Sequence, residues 1–389
     1  MKGISADPLR DERSKLIVLS IITLGAFILR IWNLDSIPPG WRDDELINSL
    51  VISKKVLDGN LALYYADASG HEALYHALNA IMLGLFGPNA AGIRLLSSLL
   101  GTLTILLTYL VGRRLFGSFT GLFAAAMLAV SFWSLMYSRV GIRHILTPVL
   151  VLLTFFFFIK GLNLTHRGQR NRRNYRLDFI LAGIFMGLGF YTYFAGRGVP
   201  LILLAFCIYA FLFARQIIMR QWPGLLLMFG IGLLMAVPLL ITLAQQPESE
   251  ARVAELAVPL VEARKGNFEP LLRHVSVTLS MFHADGDDEW LYNIPHRPLF
   301  GSLGAAFFWT GVLIALGYSL LPPAKTIAGW VGKTLEQDNS EHHYAALSSA
   351  FLLFWWLAGI SPGFISVPPA SLGHTILAQP AVYLLAALP

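Results

Sequence analysis

The feature that most constrains this chain is a series of apolar runs, each close to the length that crosses a bilayer. About 20 apolar residues span the hydrocarbon core. Runs of that order occupy residues 16–32, 92–112, 118–138, 145–162, 178–195, 199–214, 223–243, 299–321 and 344–360. A tenth begins near Gln379 and reaches Pro389 before it is long enough to span, so the sequence is expected to be a fragment of a longer protein. Over the 389 residues, 56% are hydrophobic and only 13% are charged, about half the charge of an ordinary globular protein. A soluble fold could not hide so much apolar surface. The expectation is an all-α polytopic membrane protein, a single transmembrane domain over 1–389 with about ten spans, the last truncated.

The formal charge of +6 does not argue for a nucleic-acid partner. In membrane proteins an excess of Lys and Arg marks the cytoplasmic loops. The single cysteine, Cys207, lies in an apolar run and excludes an intrachain disulfide. The run 73–87 is short and contains His76 and Asn79. If it lies along the membrane instead of crossing it, the N-terminus, Arg113-Arg114, the stretch Lys160–Arg176, Arg215–Arg220 and Lys325–Lys333 all fall on one side. That is the positive-inside pattern. It predicts a cytoplasmic N-terminus, an interfacial helix over 73–87 and two long outer loops, 33–91 and 244–298. Loops of that length on a compact bundle point to chemistry at the outer face.

The first outer loop opens with Pro38-Pro39-Gly40-Trp41-Arg42-Asp43-Asp44-Glu45. A helical pattern follows and stops at Gly59, so the acids fall at a helix N-terminus, where the helix dipole favours negative charge. One reading is simple first-turn acids; the other is a carboxylate held at the water–lipid boundary to act as a base. Two further outer turns carry cations against the positive-inside trend: Arg139, Arg143 and His144 in Tyr137–His144, and Arg197 in Tyr191–Gly198. Arginine is the usual partner of phosphate through its planar fork. Outer-face arginines opposite a carboxylate suit a membrane enzyme acting on a lipid phosphate. The cations would hold the anionic leaving group while the carboxylate takes the proton of the nucleophile. His71-Glu72 could add a metal ligand or a hydrogen bond. The stretch His283–Glu289 is acidic enough to suggest a divalent ion, but it departs from the EF-hand spacing and is read mainly as a solvated loop. No P-loop, Gly-x-Ser-x-Gly, His-Glu-x-x-His or Rossmann pattern is present.

These residues carry a family resemblance. Pro-Pro-Gly-x-x-x-Asp-Glu after a first span resembles the opening of GT-C superfamily membrane glycosyltransferases. The similarity is strongest to the branch of dolichyl-phosphate-mannose protein mannosyltransferases and the bacterial aminoarabinose transferase. Leu85-Phe86-Gly87 with Arg94, the run Gly112–Gly117, Ser138–Arg143, Tyr191-Thr192-Tyr193 and Asn293–Pro298 follow in the family's order. The resemblance implies a GT-C-like helical bundle whose long first outer loop carries interfacial helices. It implies an inverting transferase of hexosyl or pentosyl units with a polyprenyl-phosphate-linked sugar donor and a lipid, glycan or protein acceptor, working at the extracytoplasmic face of the cell membrane. Asp44 is then the catalytic base, with Asp43, Glu45, His71, Glu72, Arg139, Arg143, Tyr193 and Arg197 as substrate contacts.

Two departures stand out. Where many relatives have Leu-Asp-Pro, this chain has Leu146-Thr147-Pro148, which removes a second acid and leaves open whether a divalent metal takes part. Where aminoarabinose-type relatives have Glu-Lys-Pro, it has His71-Glu72-Ala73. The alternatives to an enzyme are a lipid-linked-sugar transporter or flippase, which would need polar groups deep within spans, and an inactive truncated fragment.

Overall fold

The structure is a computed structural model and describes residues 11–165, 175–245, 257–290, 292–330 and 340–388. Most of the basic stretch at 166–174, the part of the second outer loop at 246–256 and the end of the Lys325–Lys333 stretch lie outside the described residues.

The chain is helical almost throughout. Its first helix, α1 (Glu12–Ile31), is followed by a connection that leads into α2 (Asp43–Leu46), a π-helical stretch (Ile47–Ser53) and α3 (Lys54–Leu57). A two-stranded antiparallel hairpin, β1 (Tyr64–Tyr65) and β2 (His71–Glu72), then hands over to α4 (Ala73–Phe86). The bundle continues with α5 (Ala90–Phe116), α6 (Ser118–Val130), α7 (Phe132–Arg139), α8 (Leu146–Gly161), α9 (Arg176–Gly189), α10 (Val199–Phe213) and α11 (Arg215–Gln245). After α12 (Val258–Arg264) and α13 (Glu269–Ser280) come α14 (Ser302–Trp330), α15 (Ser340–Ile365) and the short α16 (Gln379–Ala386).

Among the described residues, seven helices are long and apolar enough to cross a membrane, or eight if α6 and α7, bent by 59° across Ser131, form one span. This is fewer than the runs predict, chiefly because α9 is a helix of 14 residues that stops at Gly189 instead of continuing to residue 195. Glycines explain how so short a helix is held. A Cβ on Gly183 would lie 2.6 Å from the Met228 carbonyl, and one on Gly187 would lie 2.6 Å from Met235 Cβ, so α9 sits tightly against α11. It still joins the two ends of the bundle. Asp178 near its start pairs with Lys160 at 2.6 Å, and Thr192 just beyond its end meets Thr147 at 3.1 Å.

Charged pairs gather at the two ends of the bundle. At one end, Arg113 pairs with Glu12 and Lys160 with Asp178. At the other end, the loop after α1, the hairpin and the starts of α8 and α10 come together. The core between is aromatic and aliphatic, with Phe155, Phe158, Phe206, Phe351 and Trp355 in mutual contact.

Candidate active site

Two buried arginines shape the connection between α1 and α2. The last carbonyls of a helix have no partner within it. Arg139, from the end of α7, supplies donors to the carbonyls of Leu29, Trp32 and Ile37. Arg94 on α5 donates to the carbonyls of Leu34, Pro38 and Gly40. Gly40 is needed here because its φ of +71° lies in the left-handed region. Arg94 also grips Glu45 with two bonds, Nε–Oε1 at 2.6 Å and Nη2–Oε2 at 3.0 Å, and both side chains are fully buried. Glu45 accepts two backbone N–H groups as well, from Arg42 at 3.1 Å and Gly141 at 3.0 Å.

Successive residues of a helix point about 100° apart, so Asp44 and Glu45 cannot share a face. With Glu45 turned inward on Arg94, Asp44 turns toward a cavity of about 580 Å³. Glu45 and Arg139, both expected to touch substrate, do not line this cavity. They fix the backbone that presents Asp44.

Asp43, Asp44, His71, Glu72, Arg143, Tyr193 and Arg197, the other expected site residues, all line the cavity. Their relations differ from the simple picture of arginines facing Asp44. The hairpin delivers Glu72 to the start of α4, where Arg143 Nη1 lies 3.2 Å and Arg197 Nη2 3.0 Å from its carboxylate. Arg143 also donates to the Gly70 carbonyl at 2.7 Å, and its head lies 5.5 Å from the Tyr193 ring centre. Tyr193 contacts His144 ring to ring, with centroids 4.1 Å apart. Two cations on one buried carboxylate leave this wall with a net positive charge, and both guanidinium groups keep partial exposure.

The remaining lining includes acidic groups and comes largely from segments that sequence reasoning did not assign. Tyr292 donates its hydroxyl to Asp44 Oδ2 at 2.6 Å, and its ring stacks on Tyr137 with centroids 5.3 Å apart. Burial, and then the charge of Asp44, hold the Tyr292 phenol well above its usual range, so it remains a donor. Asp287 lies in the stretch expected to be a solvated loop, yet it is buried. Its two oxygens accept the N–H groups of Glu289 at 3.0 Å and Leu372 at 2.8 Å. Burial pushes its carboxyl up to about 6. From the last loop, Ser366 and His374 meet at 2.8 Å and also line the cavity. The crowding of His, Asp and Glu in 283–289 was the one sequence signal for this lining. Nothing local marks Tyr292, which is 248 positions from its partner.

Among the described residues, no three His, Cys, Asp or Glu side chains converge as a metal-binding group. Asp287 already has a backbone donor on each oxygen, Glu72 is engaged by two arginines and Thr147 bonds to Thr192. Among the described residues these groups do not make a cage for a divalent ion.

Residues 71–242 match the family model of dolichyl-phosphate-mannose-protein mannosyltransferases. The chain resembles the archaeal oligosaccharyltransferase AglB from Archaeoglobus fulgidus, solved with an inhibitory peptide and a dolichol-phosphate. The TM-score is 0.57 and the identity 17%, over 96% of this chain and 50% of that one. It also resembles ArnT from Cupriavidus metallidurans bound to undecaprenyl phosphate, with a TM-score of 0.55 and 15% identity over 97% of this chain and 60% of that one. The chain thus spans about half the length of the first of these proteins. No curated protein matches it in sequence. The fold is the one shared by these two solved structures. Within it, the segment from β2 through most of α11 is similar to the protein mannosyltransferases.

Proposed function

We propose that this chain carries the active site of an inverting glycosyltransferase that moves a sugar from a polyprenyl-phosphate carrier to an acceptor hydroxyl at the extracytoplasmic face of the cell membrane. The observation that carries the reading is the lining of one cavity, which brings together a carboxylate, Asp44, and two arginines that share a single carboxylate, Glu72. The polyprenyl phosphates bound to AglB and ArnT support the choice of donor.

The chemistry follows from the groups present. Asp44 accepts the proton as the acceptor oxygen attacks the anomeric carbon. The bond from that carbon to the phosphate oxygen breaks, and the phosphate leaves already charged, so no general acid is required. Arg143 and Arg197 stabilise the charge that collects on the phosphate. A single displacement with one base inverts the anomeric centre. The extracytoplasmic placement rests on the basic residues Arg113, Arg114, Lys160 and Arg215, which mark the other end of the bundle as the cytoplasmic one. The test is transfer of label from radiolabelled polyprenyl-phosphate sugars in membranes containing the chain. Label should move to an acceptor with the intact chain and stay on the carrier with Asp44→Asn. Label that crosses the bilayer still attached to the carrier would favour a transporter instead.

A further inference from the structure

We propose that Tyr292 is a positioning residue for Asp44, carried by a loop that is itself pinned to the last loop through Asp287 and Leu372. The proposal rests on the reading of Asp44 as the base. Four observations support it. The phenol donates to only one carboxylate oxygen, Oδ2, at 2.6 Å. The donor is fixed, since Tyr292 is stacked on Tyr137 of α7 and Tyr137 is buried. The loop bearing Tyr292 is tied down on both sides of that residue. Asn293 donates to the carbonyls of Asp287 at 2.9 Å and Arg297 at 2.9 Å, and Asp287 takes the Leu372 N–H at 2.8 Å. Finally, Gly286 lies so close to the Arg297 carbonyl that a Cβ there would sit 1.9 Å from it, so the loop closes on itself tightly.

Tyr292 therefore holds one oxygen of Asp44 in place and directs the other toward the acceptor. The charged and titratable groups around this pair are Arg42 and Asp43 beside Asp44, Tyr137 from α7, and Asp287 and Glu289 from the loop itself. They are unchanged by loss of one hydroxyl. The arrangement also couples the base to the last loop, because the line of contacts runs from Leu372 through Asp287 and Asn293 to Tyr292.

The test is Tyr292→Phe, which removes the hydroxyl and keeps the stacked ring. The readout is transfer in membranes, where kcat should fall about tenfold while KM for the polyprenyl-phosphate sugar and the melting temperature hold. An unchanged kcat would overturn the proposal, as would a loss of transfer that tracks a rise in KM or a fall in thermal stability. Failure of the base assignment is separate. It would show as full transfer by Asp44→Asn, whatever Tyr292→Phe does.

Discussion

Glu45 and Arg94 form a buried, doubly bonded ion pair directly behind Asp44, with contacts of 2.6 and 3.0 Å. The pair decides which of two adjacent acids meets the cavity. Breaking a buried pair by removing one partner leaves a bare charge and typically costs about 3–5 kcal/mol. Arg94→Met should therefore lower the melting temperature of the detergent-solubilised protein sharply and reduce its yield in membranes. In Glu45→Gln any loss of transfer should track the loss of thermal stability. A Glu45→Gln protein of native stability with no transfer would instead make Glu45 a reacting group.

Arg143 and Arg197 share Glu72, a structural tie beside the phosphate-binding role proposed for them. Arg197→Ala should raise KM for the polyprenyl-phosphate sugar by about 10- to 100-fold, the equivalent of a lost charge-assisted hydrogen bond. Arg143→Lys should not restore a loss seen in Arg143→Ala, because Nη1 alone meets both Glu72 and the Gly70 carbonyl and an ammonium lacks the further planar donors that a phosphate would take. Steady-state kinetics across a donor series measures both effects.

Asp287 gives a pH signature. Burial raises its carboxyl from 3.8 to about 6 in the folded chain. The folded state thus holds the proton more tightly than the unfolded state between those values. Its stabilising contribution is complete below about pH 4 and is lost as pH rises through about 6, an effect on the order of 3 kcal/mol. Thermal unfolding of the intact chain and of Asp287→Asn across pH 4–7 should show the difference. The intact chain loses stability relative to the variant as pH rises.

Much of this architecture was legible in the sequence because lipid imposes a simple length rule. The run at 145–162 is recovered to within a residue at each end in α8, and that at 92–112 lies inside the longer α5. Charge parity grouped Arg139, Arg143 and Arg197 with Asp43, Asp44 and Glu45, and all but Arg139 and Glu45 line the cavity. Three things were not legible. The separation of Asp44 from Glu45 depends on helix phase and on Arg94, 49 positions from Glu45. Arg139 resembled a phosphate ligand by type and place, yet it caps the carbonyls ending α1, a role that only the approach of α7 to α1 reveals. The wall bearing Tyr292, Asp287 and His374 is built from late loops whose polar residues look like ordinary surface until the fold closes them over the site.

The most direct measurement is transfer by Asp44→Asn in membranes given radiolabelled polyprenyl-phosphate sugars, alongside the intact chain at matched expression. The change preserves shape and the acceptor oxygen for Tyr292 while removing the base. Label should move with the intact chain, and transfer should fall to background in the variant while membrane insertion and melting temperature are unchanged. Transfer by Asp44→Asn at the rate of the intact chain would contradict the assignment of Asp44 and the mechanism built on it.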